Sequence, residues 1–263
     1  MINNNSHFTK NKLSYPTCVP WSRTNSTFSI DGSSGNTFHD VFELQAPAYR
    51  VRPIFCNGSS SVTFTIASCK VSSPASISTL DSTSANWTSV TLPSSGVVPV
   101  AATDVQRRGL LLGDWADLVN HNNSKFVAVR SYIAAGAGTI TIGSSDTTNL
   151  LNWASRTDGR GKLSYNQTGD SVTTVSNFTL KTNAVKSPCI GVQYQTPEGV
   201  ITMMKSGDSI DAGRNSASGE YLEESFWDYA MIVAVNDLGI KAEIANFSFA
   251  STDYNNYPYH ISD

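Results

Sequence analysis

Short segments in which apolar and polar residues alternate dominate residues 1–199. Val62, Phe64 and Ile66 are separated by single threonines, and Ile140 and Ile142 follow the same pattern. A period of two places the apolar residues on one face of a β-strand. Turn-forming clusters such as residues 31–35 separate these segments. Many short strands with little helical periodicity predict an all-β sandwich or jelly-roll domain over residues 1–199.

Further strands are predicted where apolar residues recur in this way: residues 42–46, 90–92, 97–100, 127–129, 172–180 and 190–194. One segment breaks the pattern, since Leu111, Trp115 and Leu118 fall at helical spacing. A short helical turn is therefore predicted over residues 110–119.

Charge is scarce in this chain of 263 residues, with 15% charged residues and a net charge of −3. An average soluble domain has roughly 25% charged residues. Because no basic patch is present, a nucleic-acid partner is not expected. No apolar run is long enough to span a membrane, and residues 1–6 do not look like a secretory signal. A polar surface built from Ser, Thr, Asn and Gly suits an extracellular or virion-associated setting.

The four cysteines are Cys18, Cys56, Cys69 and Cys189, and no two of them form a Cys-x-x-Cys pair. This spacing excludes a zinc ribbon or a thioredoxin-type motif. The histidines form no metal-ligand pattern either, so no metal site is predicted. Cys56 and Cys69 are either bridged across neighbouring strands or buried as free thiols, and the second alternative is favoured.

The pattern changes after Gly199. The apolar run 200–204 predicts a strand, the turn residues 205–210 follow it, and residues 222–233 have apolar side chains at helical spacing. Gly239 is suited to end this helix, and residues 241–249 predict a second strand. A strand, turn, helix and strand in this order predict the start of an open parallel α/β sheet over residues 200–263.

The segment Gly207-Asp208-Ser209-Ile210, placed between a strand and a helix, resembles the first sequence block of the SGNH (GDSL-type) serine hydrolases. The resemblance implies a flavodoxin-like α/β fold, with Ser209 as the nucleophile and its N–H in the oxyanion hole. Gly207 and Asp208 would form the turn. Ser251, after the second strand, stands where the family has a glycine whose N–H completes the oxyanion hole.

Two later blocks of the family are missing here. The only Asn-Asp, at Asn236, falls inside the predicted helix, and no Asp-x-x-His occurs. His260 has Tyr257 where that aspartate would stand, and it is the one histidine in this part of the chain. The resemblance thus covers residues 200–263, so the chain is either a fragment of a longer hydrolase or a degenerate relative.

Two functions follow from these observations. The first is a serine esterase that removes an acyl group, such as acetyl, from a carbohydrate, with Ser209 activated by His260 or by a base outside the matched region. No metal or organic cofactor is implied. The second is a non-catalytic glycan-binding surface or phage-tail-type adhesion protein that carries a remnant of the hydrolase. Trp87, Trp115 and Trp153 are available either to stack on sugar rings or to pack in the protein.

Overall fold

The computed structural model describes residues 13–19, 24–59, 61–76, 86–100, 109–119, 124–144, 162–173, 179–180, 187–205 and 237–246. These residues are mostly β-strand. The helical structure among them is limited to 3-10 turns, at Pro93–Gly96 and at Asn86.

The larger sheet has six antiparallel strands: β3 (Asn36–Glu43), β6 (Ser68–Ser72), β7 (Thr88–Ser89), β11 (Phe126–Ile133), β13 (Lys162–Thr168) and β14 (Thr179–Leu180). Their order across the sheet is β14-β13-β3-β11-β6-β7. The long strand β3 is central, because it pairs along its whole length with β11 on one side and, over residues 36–42, with β13 on the other.

The second sheet contains five strands: β1 (Thr17–Cys18), β4 (Arg50–Cys56), β9 (Leu110–Leu112), β10 (Ala116–Asp117) and β15 (Cys189–Gln195). Its order is β1-β15-β4-β10, and β9 also pairs with β4. Two further antiparallel pairs are β2 (Thr24–Ser29) with β12 (Thr139–Ser144), and β5 (Phe64–Thr65) with β8 (Val97–Val98).

The main hydrophobic core lies between the two sheets. Phe38 and Phe42 of β3 contribute to it from one sheet, and Val51 and Phe55 of β4 contribute from the other. Within each strand these residues alternate with residues on the outer face, as the period of two requires. The predicted β-sandwich is confirmed at this level.

The predicted helical turn at residues 110–119 is wrong. This segment forms β9 and β10, which pair with β4 through Leu111 opposite Phe55 and Ala116 opposite Val51. The segment is too short to hold a helix by itself. The edge of β4 supplies hydrogen-bond partners for an extended backbone, and that pairing decides the conformation. Residues 90–92 lie outside the strands, and of residues 172–180 only Thr179–Leu180 form a described strand.

Two strands near the end of the chain, β16 (Ile201–Lys205) and β17 (Ala242–Asn246), pair in parallel. They are hydrogen-bonded to the sandwich at the end of β1, since the Val19 N–H donates to the Ile244 carbonyl at 2.8 Å. The Thr17 N–H also donates to Thr202 Oγ1, at 3.0 Å. The helix predicted between β16 and β17 lies outside the described residues, and the domain boundary at residue 199 stays a prediction.

All four cysteines are buried free thiols. Cys56 and Cys69 are therefore not bridged, and the favoured alternative of buried free thiols is the one observed.

Candidate functional site

The predicted catalytic residues Gly207, Asp208, Ser209, Ser251 and His260 all lie outside the described residues. What the structure describes is the pair of strands that lead to them. Along the chain, the Gly-Asp-Ser segment follows the end of β16, and Ser251 follows the end of β17. Because β16 and β17 are parallel, their carboxyl ends lie at the same edge, which is where open α/β sheets bind ligands.

A groove of about 420 Å³ lies between one face of the β16–β17 pair, which contributes Thr202, Met204 and Ala245, and the outer face of the second sheet. Its described lining includes a set of apolar side chains: Ile54, Leu110, Leu112, Met204 and Ala245. The polar part of the lining consists of Thr17, Arg52, Gln193 and Thr202. A volume of this size and a mainly apolar surface with a few polar groups are typical of small-molecule sites.

The polar wall of the groove is built by cross-strand pairing. In the second sheet Thr17 of β1 lies opposite Gln193 of β15, and Gln193 lies opposite Arg52 of β4. Arg52 Nε donates to Gln193 Oε1 at 2.7 Å. Because three neighbouring strands hold these side chains in one row, the position of each is fixed by the sheet.

Aromatic side chains stand beside this wall. The Arg52 guanidinium lies 5.0 Å from the centre of the Trp115 ring, within the range of a cation–π interaction. Tyr15 meets Trp115 edge to face, with ring centres 5.8 Å apart. Gln193 Nε2 also donates to the Tyr15 carbonyl at 3.3 Å. These contacts hold the Arg52 guanidinium in a defined orientation.

The tryptophans singled out in the sequence have different surroundings. Trp87 is buried, and the Arg130 guanidinium lies 3.9 Å from its ring centre, so this tryptophan packs inside the protein. Trp115 is half-buried beside the groove. Trp153 lies outside the described residues.

A buried polar cluster on the outer face of the larger sheet surrounds His39. Arg130 Nε donates to His39 Nδ1 at 3.0 Å, and the His39 ring contacts Trp87 and Tyr165. Burial, together with the positive charge of Arg130, lowers the pKa of His39 well below its usual value of 6.5. His39 is therefore neutral at physiological pH, and it is enclosed in the protein.

A second buried cluster lies between the sheets, where Asp40 accepts hydrogen bonds from the hydroxyls of Ser164 and Ser187. All three residues are buried. Ser187 Oγ also accepts a hydrogen bond from the Cys189 N–H at 3.2 Å. Asp40 thus connects the larger sheet to the chain just before β15, and its partners belong to the fold.

Within the described ranges, His, Cys, Asp and Glu side chains form no group of three that could hold a metal ion. In that part of the chain no helix is long and apolar enough to cross a membrane.

Sequence reasoning missed the groove residues Arg52 and Gln193. Each stands between apolar residues in an alternating segment, and this pattern places it on the outer face of a strand. The pattern did not indicate that the two side chains meet, because they are 141 positions apart along the chain.

No family model matches this chain, and no curated protein matches it. The likeness to SGNH hydrolases therefore rests on the residues around Ser209 and Ser251.

Proposed function

We propose that the chain is a serine esterase of the SGNH type that removes an acyl group, such as acetyl, from a carbohydrate, with Ser209 as the nucleophile. The observation that carries the proposal is the parallel pairing of β16 with β17. The Gly207-Asp208-Ser209 block follows one of these strands along the chain, and Ser251 follows the other. In an open α/β sheet, catalytic groups from neighbouring parallel strands meet at the carboxyl edge.

Two further features support a βαβ unit. Side chains alternate between the two faces of β17, so Ala242 and Ile244 lie on the face opposite Glu243 and Ala245. On that face Ala242 and Ile244 form a small apolar cluster with Met203. Parallel neighbours also require a crossover connection, usually a helix that packs on the sheet. The apolar residues at helical spacing in 222–233 fit that requirement, and the flavodoxin-like arrangement is part of the proposal.

In the proposed reaction, Ser209 Oγ attacks the carbonyl carbon of the ester while a general base removes its proton. The bond from the carbonyl carbon to the sugar oxygen then breaks, and the base returns the proton to that oxygen. Water next attacks the acyl-enzyme and releases a carboxylic acid and free Ser209. The backbone N–H groups of Ser209 and Ser251 are the proposed donors to the oxyanion. His260 is the histidine nearest to Ser209 along the chain and is the first candidate for the base.

The test compares the full chain with Ser209→Ala and with a matched control, Ser206→Ala. Turnover of p-nitrophenyl acetate and labelling by a fluorophosphonate probe are measured for all three, and the labelled peptide is identified by mass spectrometry. We expect the label on Ser209, and loss of both signals in Ser209→Ala alone. Equal turnover in Ser209→Ala and the parent would contradict the proposal. His260→Ala then tests the base, since its loss should lower turnover to a similar degree.

A non-catalytic glycan-binding surface or phage-tail-type adhesion protein is the second candidate. One observation favours it: Thr17, Arg52, Gln193 and Trp115 all belong to the sandwich, so this wall of the groove does not require Ser209. Glycan binding without turnover or fluorophosphonate labelling in the parent chain would support this function over the esterase.

A further inference from the structure

Arg52 and Arg50 lie two positions apart on β4, but their surroundings differ. Arg50 pairs with Asp117, with Nε and Oδ1 2.6 Å apart. Among the described residues, no carboxylate lies within ion-pair distance of Arg52, whose polar contact is the neutral amide of Gln193. Arg52 therefore brings a positive charge to the groove that none of the described acidic side chains neutralises.

The Arg52 guanidinium is also oriented in advance. Its Nε is occupied by Gln193, and its Cζ lies 5.0 Å from the centre of the Trp115 ring, so the two Nη groups carry the donors left for a ligand. A guanidinium presents parallel N–H groups that match the two oxygens of a carboxylate. Holding that group in place before binding reduces the entropy lost when the ligand is bound.

The rest of the groove suits a ring that carries hydroxyls. Leu112 and Met204 offer apolar surface for the C–H face of a sugar, and Thr17 and Thr202 place hydroxyl groups in the same lining. Leu112 and Met204 are exposed to solvent, at 37% and 66%, so this apolar surface is open to a ligand.

We propose that this groove binds an acidic sugar, with the sugar carboxylate held by Arg52 and the ring lying over Leu112 and Met204. The inference rests on the proposed function for its choice of a sugar, and it narrows the substrate class to acylated glycans that contain uronic acid or another carboxylate-bearing residue. Met204 and Ala245 line the groove close to the ends of β16 and β17, so the bound sugar lies beside the edge proposed for catalysis.

The test measures binding without turnover, using the full chain with Ser209→Ala on an array of neutral, carboxylate-bearing and phosphorylated glycans. We expect binding to carboxylate-bearing glycans, weakened when NaCl rises from 50 to 500 mM. In this background Arg52→Gln should weaken binding at least about tenfold, because a hydrogen bond to a charged group is lost. Arg50→Gln is the matched control and should stay within about twofold. Thermal melts should show that both variants are folded.

Equal binding by the Arg52→Gln variant would overturn the inference, as would binding of neutral glycans alone, of phosphorylated glycans alone, or of none. The proposed function fails separately. Carboxylate-dependent binding by a parent chain that shows no fluorophosphonate labelling would support the acidic-sugar site and contradict the esterase. Labelling on Ser209 without binding on the array would support the esterase and contradict the acidic-sugar site.

Discussion

The Tyr194 hydroxyl donates a hydrogen bond to Glu243 Oε1 at 2.6 Å, and both side chains are fully buried. Glu243 Oε1 also accepts from the Gln45 N–H at 2.7 Å. Burial raises the pKa of Tyr194 far above its usual value near 10, and the negative charge of Glu243 raises it further. The raised pKa keeps the Tyr194 hydroxyl protonated, as its role as donor to Glu243 requires. These bonds connect β17 to the interior of the sandwich.

Replacing Tyr194 by Phe should destabilise the protein by about 1–3 kcal/mol, because the buried Glu243 carboxylate then loses a donor that water does not replace. The measurement is the free energy of unfolding in urea. Tyr132→Phe is a matched control, since Tyr132 donates to the Ser34 carbonyl at an exposed position. Its effect should be within about 0.5 kcal/mol. Equal effects of the two substitutions would contradict a buried, solvent-excluded bond.

Gly191→Ala should destabilise the sandwich edge by about 1–3 kcal/mol, because the added methyl group has no room. Its Cβ would lie 2.3 Å from the Cys18 carbonyl oxygen and 2.6 Å from Val19 Cγ2. Gly199→Ala is the control, since a Cβ there meets nothing within 4 Å. Thermal unfolding of both variants checks this prediction. A melting temperature for Gly191→Ala as high as that of Gly199→Ala would show that β1 and β15 are farther apart than described.

The stability of the protein should fall as pH drops below 6.5, in part because of His39. In the unfolded chain His39 takes up a proton near pH 6.5, whereas in the folded chain its lowered pKa keeps it neutral. Below pH 6.5 the unfolded state therefore binds more protons than the folded state. The contribution of neutral His39 to the free energy of unfolding is complete above pH 6.5 and is lost as pH falls toward the folded pKa. The loss from one such group is up to about 1.4 kcal/mol per pH unit.

His39→Gln tests this assignment, because a Gln oxygen can still accept from Arg130 Nε but does not titrate. Urea unfolding of the two proteins at pH 5.0, 6.0 and 7.5 gives the comparison. The free energy of unfolding of the variant should depend less steeply on pH between 5.0 and 6.5 than that of the parent. Parallel curves for the two proteins would assign the acid sensitivity to other groups.

Thiol reagents should distinguish buried free cysteines from a disulfide. In the native protein we expect no rapid reaction with Ellman's reagent, since all four thiols are buried. Burial, with added repulsion from Cys189 and Asp40, also raises the pKa of the Cys69 thiol well above its usual value, and this slows its attack further. In urea without reductant, four thiols should react. Reaction of only two would instead indicate the Cys56–Cys69 bridge.

The prediction of strands succeeded where the pattern is local and long. The alternation of Val127 with Val129 in β11, and of Ile140 with Ile142 in β12, reflects which face each side chain occupies, and the structure has strands there. At residues 42–46 the prediction overlaps the structure only at its start, because β3 ends at Glu43. The prediction of a helical turn at residues 110–119 was wrong, because the spacing of Leu111, Trp115 and Leu118 fits a helix as well as a strand. The pairing of this short segment with β4 decided between them.

The sequence by itself determined the β-rich character of the chain and the position of the Gly207-Asp208-Ser209 block after a strand. These properties depend on residue types and on spacings within a few positions. Only the tertiary structure decided that Arg52 meets Gln193, and that Glu243 is held by Gln45, 198 positions away. Such contacts depend on the order and register of strands that are distant along the chain, and no local period encodes that order.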